Sequence, residues 1–154
     1  MADKKKFPGE VQFENTITTT GTNTYSGVNT FSGGIAVSGG RIRESIEKTD
    51  VDDRHHTLTA AQIKKGLVLH TSETGAGNVT TDTAANIIAG IPLDADDQVV
   101  KCYYVNDGDR VLTLVGGTGV TVADDGQTIG ENESAILLFR RTGAAAVKLY
   151  TIGA

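Results

Sequence analysis

The chain has 154 residues and a mass of 16.1 kDa, the size of one domain with an appendage. Its net charge of -5 argues against a general nucleic-acid binder, which needs a basic surface to displace counterions from phosphates. A single cysteine excludes an internal disulfide and a cysteine-based zinc site. No stretch approaches the roughly 18 apolar residues of a membrane span or the apolar core of a signal peptide. We therefore expect a cytoplasmically made protein without membrane or nucleic-acid partners.

Residues 1–40 are dominated by Gly, Thr, Ser and Asn, with isolated apolar residues between them. Odd numbering, which places side chains on one face of an extended backbone, is shared by Val11, Phe13, Ile17, Tyr25, Phe31, Ile35 and Val37. A short repeat, Asn23–Gly27 followed by Asn29–Gly33, has an even offset and leaves its two aromatic residues on the same side.

One sparse apolar face supplies too little area to offset the entropy of ordering an isolated ribbon. Residues 1–40 are therefore either a disordered linker or a segment that winds with copies of itself or lies along a partner. The regular spacing favours the second interpretation, an extended β arm or shaft. Residues 41–56 have the mixed charges of a solvated connector.

Residues 57–154 are predicted to form a compact β domain with two short helices. Thr59 and Gln62 have the spacing of a capping box, and Gly66 suits the end of that helix. A second helix is predicted over 83–89, capped by Asp82 or Thr81 and ended by Gly90 and Pro92. Strands are predicted over 67–70, 98–105, 110–115, 120–122, 128–129, 135–141 and 147–152. Their lengths and spacing indicate a jelly-roll-like β sandwich or barrel.

Two clusters contain residue types that bind metals. His55 and His56 follow several aspartates, but adjacent residues of an extended chain point to opposite faces. Asp94, Asp96 and Asp97 have the spacing of part of a calcium loop, without the glycine and distal glutamate of the full motif. A solvated turn is the favoured interpretation, with weak Ca²⁺ binding left open.

Other candidates for chemistry are weaker. Gly116–Gly119 lacks the Gly-Lys-Ser/Thr ending of a phosphate loop and precedes a strand, so a hairpin turn is predicted. Cys102 lies in an apolar strand, where a buried side chain is expected. His70 ends another apolar strand and is read as a single hydrogen-bonded or exposed histidine, with an axial cluster in a trimer as the alternative. We expect no catalytic residue and no cofactor.

Four segments together resemble the trimeric β domains of tailed-bacteriophage capsid decoration and head-fibre proteins. They are Thr57–Val68, Thr80–Pro92, Leu112–Val122 and Ala144–Ile152, in that order and spacing. The Asn-Thr-aromatic-Ser-Gly repeats are similar to shaft sequences of phage fibres. The long arm departs from simple decoration proteins.

The resemblance implies a homotrimer that binds the major capsid protein on the exterior of the virion and stabilises the shell or projects from it. Capsid docking or trimer winding is then expected of the arm residues Phe7, Val11, Phe13, Ile17, Tyr25 and Phe31. A receptor- or glycan-binding fibre tip is the alternative, since jelly rolls bind sugars through exposed aromatics. An enzyme is disfavoured because the acidic residues cluster in turns and not in apolar runs.

Overall fold

The computed structural model describes residues 45–72, 75–91, 93–123 and 127–153. The predicted arm, 1–40, lies outside these residues, together with all of its candidate contact residues: Phe7, Val11, Phe13, Ile17, Tyr25 and Phe31. The described part is mainly β with two short helices, which confirms the predicted class.

The elements follow one another along the chain as β1 (Glu47–Val51), β2 (His55–Leu58), α1 (Ala60–Lys65), β3 (Gly66–His70), β4 (Gly77–Thr81), α2 (Ala84–Gly90), β5 (Val99–Asn106), β6 (Leu112–Val115), β7 (Val120–Val122), β8 (Thr128–Ile129), β9 (Glu133–Gly143) and β10 (Ala146–Ile152). They form two sheets. The large sheet has the order β1-β3-β5-β9-β10-β7, and the small sheet has the order β2-β4-β6-β8.

The first six strands alternate between the two sheets. β1, β3 and β5 pair in parallel in the large sheet, while β2, β4 and β6 pair in parallel in the small one. Each pass of the chain therefore lays one strand on each sheet and then returns beside its predecessor. This is the winding of a short parallel coil, in which neighbouring turns stack to bury a shared core.

The last strands close the coil with mainly antiparallel pairing. β9 pairs with β5 and β10, and β8 pairs with β6, all antiparallel, while β7 joins the edge in parallel to β10. A jelly roll is built from antiparallel strands, whereas five of the eight pairings among the described strands are parallel. The observed architecture is a mixed two-sheet fold.

The core lies between the two sheets and contains a single cluster of buried apolar side chains. Its largest fully buried members include Tyr104, Phe139, Leu137 and Ile129. Along β5 and β9 buried and more exposed residues alternate, because successive side chains of a strand point to opposite faces.

The amino-terminal part of the domain differs from the sequence prediction, because β1 and the start of β2 lie inside the predicted connector 41–56. β1 is an edge strand, where outward charges are tolerated and oppose stray pairing. Lys48 and Asp50 form an exposed ion pair with a 2.8 Å separation. Val51 and His56 are buried, and these two inward positions anchor the charged segment to the domain.

Helix α1 begins and ends as predicted. The side chain of Thr59 accepts from the Gln62 amide, the Gln62 side chain accepts from the Thr59 amide, and Gly66 ends the helix with a φ of 92°. For α2 the prediction was wrong in detail, since the N-cap is Thr83. Asp82 instead accepts hydrogen bonds from the amide of Thr83 and the side chain of Asn86.

The hairpin turn predicted at Gly116–Gly119 was also wrong, because the strands that it joins belong to different sheets. Asn106 ends β5 in the large sheet and the chain continues to β6 in the small one, while Gly116–Gly119 carries the chain back to the large sheet. A Cβ on Gly117 would lie 2.4 Å from the carbonyl oxygen of Thr81, so glycine permits a close passage of two backbone segments here.

Candidate functional site: the outer face of the large sheet

Two candidates for chemistry, Cys102 and the Gly116–Gly119 segment, have structural roles in the fold. Burial raises the pKa of the Cys102 thiol to about 12, which leaves it protonated and unreactive at neutral pH. In the Gly116–Gly119 segment, the amide of Gly117 donates to the hydroxyl of Thr81 at 2.9 Å. These two segments therefore serve packing and chain crossing.

The acidic cluster after α2 is bonded to arginines. Arg140 donates from Nε to a carboxylate oxygen of Asp97 at 3.0 Å, and Arg141 lies 3.2 Å from Asp96. The Arg141 guanidinium also donates to the carbonyl of Leu93. The carboxylates that suggested a calcium loop thus fasten the 93–98 segment to β9, which supports the interpretation as a structural turn.

The histidines do not assemble a metal centre in the described part of the chain. His55 is exposed and His56 is buried on the opposite side of β2, as alternation predicts. His70 is fully buried within the domain, so it does not lie on an outer surface where three copies could meet. Among the described residues, no group of three or more His, Cys, Asp or Glu is placed to hold a metal ion.

The outward side of the large sheet carries apolar side chains that the described residues leave partly exposed. One row of apolar side chains crosses four neighbouring strands in register, from Leu67 on β3 through Tyr103 on β5 and Ile136 on β9 to Ile152 on β10. All four are partly or largely exposed, and Ile152 reaches 54%. We call this set the apolar row.

Neighbouring rows extend this apolar surface on both sides. Leu69 and Val105 are paired on one side of the apolar row, while Leu138 and Tyr150 are paired on the other. A groove of about 500 Å³ runs over the surface, lined by residues that include Ile46, Leu67, Tyr103, Val105, Ile136 and Ile152. We use "outer face" for the apolar row together with these neighbouring rows.

The outer face becomes basic toward one end. Arg140 and Lys148 are paired residues on β9 and β10, and Lys101 precedes Tyr103 by two positions on β5. The ammonium group of Lys101 lies 5.6 Å from the ring centroid of Tyr103, and that of Lys148 lies 5.3 Å from the ring centroid of Tyr150. An apolar centre with tyrosines and a charged margin is the composition of protein–protein interfaces.

The apolar runs of two strands indicate this face, although the strand predictions did not use them. With the exception of Lys101, Val99–Val105 and Ile136–Phe139 are apolar at both odd and even positions. A strand with one wet face alternates apolar and polar residues, whereas continuous apolar runs indicate cover on both sides. One side of these strands is covered by the core, and the other side has no cover from the described residues.

Comparison with known proteins gives no further guidance, because no protein-family model, no curated protein and no solved structure matches this chain. None of the helices in the described ranges has the length and apolar character needed to cross a membrane.

Proposed function

We propose that this chain is a structural subunit of a tailed-bacteriophage particle, which forms a homotrimer and binds the major capsid protein on the outside of the shell as a decoration or head-fibre protein. The uncovered outer face is the observation that supports the proposal. A partly exposed row of large apolar side chains across four strands is unfavourable in water, and its burial by a partner is favourable. The resemblance in the sequence suggests that the partners are two further copies.

The size of the outer face limits how strong this association can be. Four strands about 4.8 Å apart and six residues of about 3.3 Å rise give a flat area of roughly 400 Å². Standard stable interfaces bury about 800 Å² on each partner. The outer face alone therefore gives weak association, and a second contact is needed to raise the avidity. Winding of the arm residues, among them Phe13 and Phe31, would supply that contact, so that each trimer would consist of a wound arm followed by a β domain.

The alternative of a glycan-binding fibre tip receives less support from the same surface. Sugar recognition by aromatics needs an open ring face. Of the aromatics in the domain, Tyr104 and Phe139 are fully buried, while Tyr103 and Tyr150 each have a lysine of their own chain over the ring. A glycan array tests this alternative directly, and reproducible binding would favour it over self-association.

The trimer is tested by the mass of the full-length protein in solution. We expect a mass of three chains by sedimentation equilibrium at micromolar concentration. Ile136→Asp puts a charge in the apolar row and should shift the protein to the mass of one chain. Val111→Asp is the matched control, because Val111 is 43% exposed and precedes β6 of the small sheet, away from the outer face. A wild-type mass of one chain would refute the trimer.

Capsid binding is tested by co-sedimentation with tailed-phage shells that lack their decoration subunit. We expect the wild-type chain to pellet with a matching shell. An arm variant, Phe13→Ser with Phe31→Ser, should lose binding and keep its fold if the arm is the anchor, while Ile136→Asp should lose only the gain from avidity. Failure of a trimeric wild-type protein to pellet with any of these shells would separate the trimer from the proposed virion role and reject the latter.

A further inference from the structure

Two histidines meet in the space between the sheets. His56 lies on β2 of the small sheet and is 8% exposed, and His70 ends β3 of the large sheet and has no exposed surface. Their ring centroids are 6.3 Å apart, and the rings are nearly perpendicular, at 86°. We call them the histidine pair. It connects the first strand of the small sheet to the large sheet.

The hydrogen bonds of the pair fit neutral imidazoles. His56 Nε2 lies 3.0 Å from Gln62 Oε1, an oxygen that already accepts from the amide of Thr59, so the Nε2 atom carries the proton. His70 Nδ1 lies 2.7 Å from the Tyr104 hydroxyl. His70 Nε2 is buried and makes no hydrogen bond, and the Asp53 backbone is the nearby acceptor that favours the doubly protonated ring.

The charged surroundings do not stabilise two cations. Burial lowers the pKa of both histidines, and the proximity of His56 lowers that of His70 further. The hydrogen bond to Gln62 and the charge of Asp53 raise the pKa of His56, and the charges of Asp52 and Asp53 with the Asp53 backbone raise that of His70, but neither lowered pKa is reversed. On β5 the neighbouring titratable groups are Tyr104 and Cys102, and burial raises the pKa of both, so both are neutral.

We propose that the histidine pair is an acid-sensitive latch that fastens the first coil of the domain, β1 and β2, and releases it when both rings are protonated. β1 and β2 are the edge strands of their sheets and each pairs with one neighbour only. Like the other two edge strands, β7 and β8, they have ladder bonds on one side only, and local opening is expected to begin where few contacts must be lost. The proposal does not depend on the proposed function.

The sign of the pH dependence follows from linkage. A histidine with a lowered pKa in the folded state stabilises the fold above its unfolded pKa of about 6.5, and this contribution is lost as the pH falls from there toward the folded pKa. In that interval the equilibrium constant for opening rises about tenfold per pH unit for one proton and up to about a hundredfold for two. The carboxylates act at lower pH, so the window between about pH 6.5 and pH 5 reports on the pair.

Amide hydrogen exchange of the full-length protein tests the latch by region. After correction for intrinsic exchange, the opening constant of 47–58 should rise at least tenfold per pH unit between pH 6.5 and pH 5, while that of 133–152 changes little. The variant His56→Gln/His70→Gln should lose this dependence. His55→Gln is the matched control, since His55 is exposed on the same strand, and it should behave as the wild type.

Either of two results would overturn the latch. One is an equal rise in exchange for 47–58 and 133–152, and the other is an unchanged pH dependence in the double variant. If the double variant does not fold, the regional comparison in the wild type and the single variant His56→Gln decide the question. In that case retention of the full wild-type slope by His56→Gln counts against the pair.

Discussion

The two sides of β9 place chemically identical residues in opposite situations. Leu137 points into the core and is fully buried, whereas its neighbour Leu138 points outward and is only partly buried. The chain itself buries the inward side, because the small sheet and both helices cover it. The outward side has apolar residues like those of the core, but no described residues cover them. The difference separates the residues that the chain needs in order to fold from those that would be used in the proposed association.

The largest difference in stability is expected between alanine variants of the two neighbouring leucines of β9. Leu137→Ala removes a fully buried side chain and leaves a cavity, so the free energy of unfolding should fall by about 2–5 kcal/mol. Leu138→Ala is the same chemical change on the other face and should lower it by less than about 1 kcal/mol. Urea unfolding at one low protein concentration measures both values.

Equal losses in the free energy of unfolding for the two variants would contradict this difference between the two sides. They would show that the outward side is packed as tightly as the inward side when the protein folds. Repeating the measurement at a tenfold higher protein concentration is the control, because association stabilises the folded state by mass action. Only the Leu138→Ala variant should then lose part of the concentration-dependent stabilisation of the wild type.

Asn106 is a buried polar residue on the inward side of β5, and its replacement should also lower the free energy of unfolding, by less than that of Leu137. The Asn106 side-chain amide donates to the carbonyls of Arg110, Ile129 and Gly130, and its oxygen accepts from the amide of Gly108. Asn106→Ala leaves these groups unpaired at the crossing from β5 to β6. We expect a loss of roughly 2–3 kcal/mol in the free energy of unfolding.

The control for Asn106→Ala is a surface asparagine with a comparable bond. Asn86→Ala removes an exposed hydrogen bond to Asp82 and should change the free energy of unfolding by no more than about 0.5 kcal/mol. If both variants unfold at the same urea concentration, burial of the Asn106 network does not contribute to stability.

Local features of the fold were predictable from the sequence, and long-range ones were not. The cap of α1 needs only Thr59, Gln62 and Gly66 within one short segment, so the sequence specifies it completely. The crossing at Gly116–Gly119 looked like a hairpin because glycines suit both a tight turn and a close passage of backbones. Only the partner segment, at Thr81 in this fold, distinguishes the two cases.

The edge strands and the outer face were missed for related reasons. The charges of β1 resemble those of a solvated connector, because an edge strand needs only a few inward residues, here Val51, to be anchored. The outer face lies on strands that were predicted correctly, but the prediction did not say which side of each strand is covered. Alternation identifies which residues share a side, but which of the two sides the chain covers depends on the stacking of distant strands.

An intermediate effect is expected at the edge of the inward layer, in α1. Thr59→Ala removes the side-chain acceptor of the first turn and should lower the free energy of unfolding by about 1 kcal/mol. Thr59→Ser retains a hydroxyl and should recover most of this loss. Both values come from the same urea experiment, and a serine variant as unstable as the alanine variant would show that the methyl group and not the cap is important.

Substitution of an exposed valine should have the smallest effect on the free energy of unfolding, and on the outward side of the large sheet it should also weaken the proposed association. Val99 and Val111 are 52% and 43% exposed, and Val99 alone lies on the outward side of the large sheet, paired with Arg140. Val99→Ser and Val111→Ser should each change the free energy of unfolding of the monomer by less than about 0.5 kcal/mol. Because burial of a valine side chain contributes on the order of 1 kcal/mol, Val99→Ser should weaken association about fivefold per chain, as measured by sedimentation. Equal association of the two variants would place the interface away from the basic end of the outer face and confine it to the apolar row.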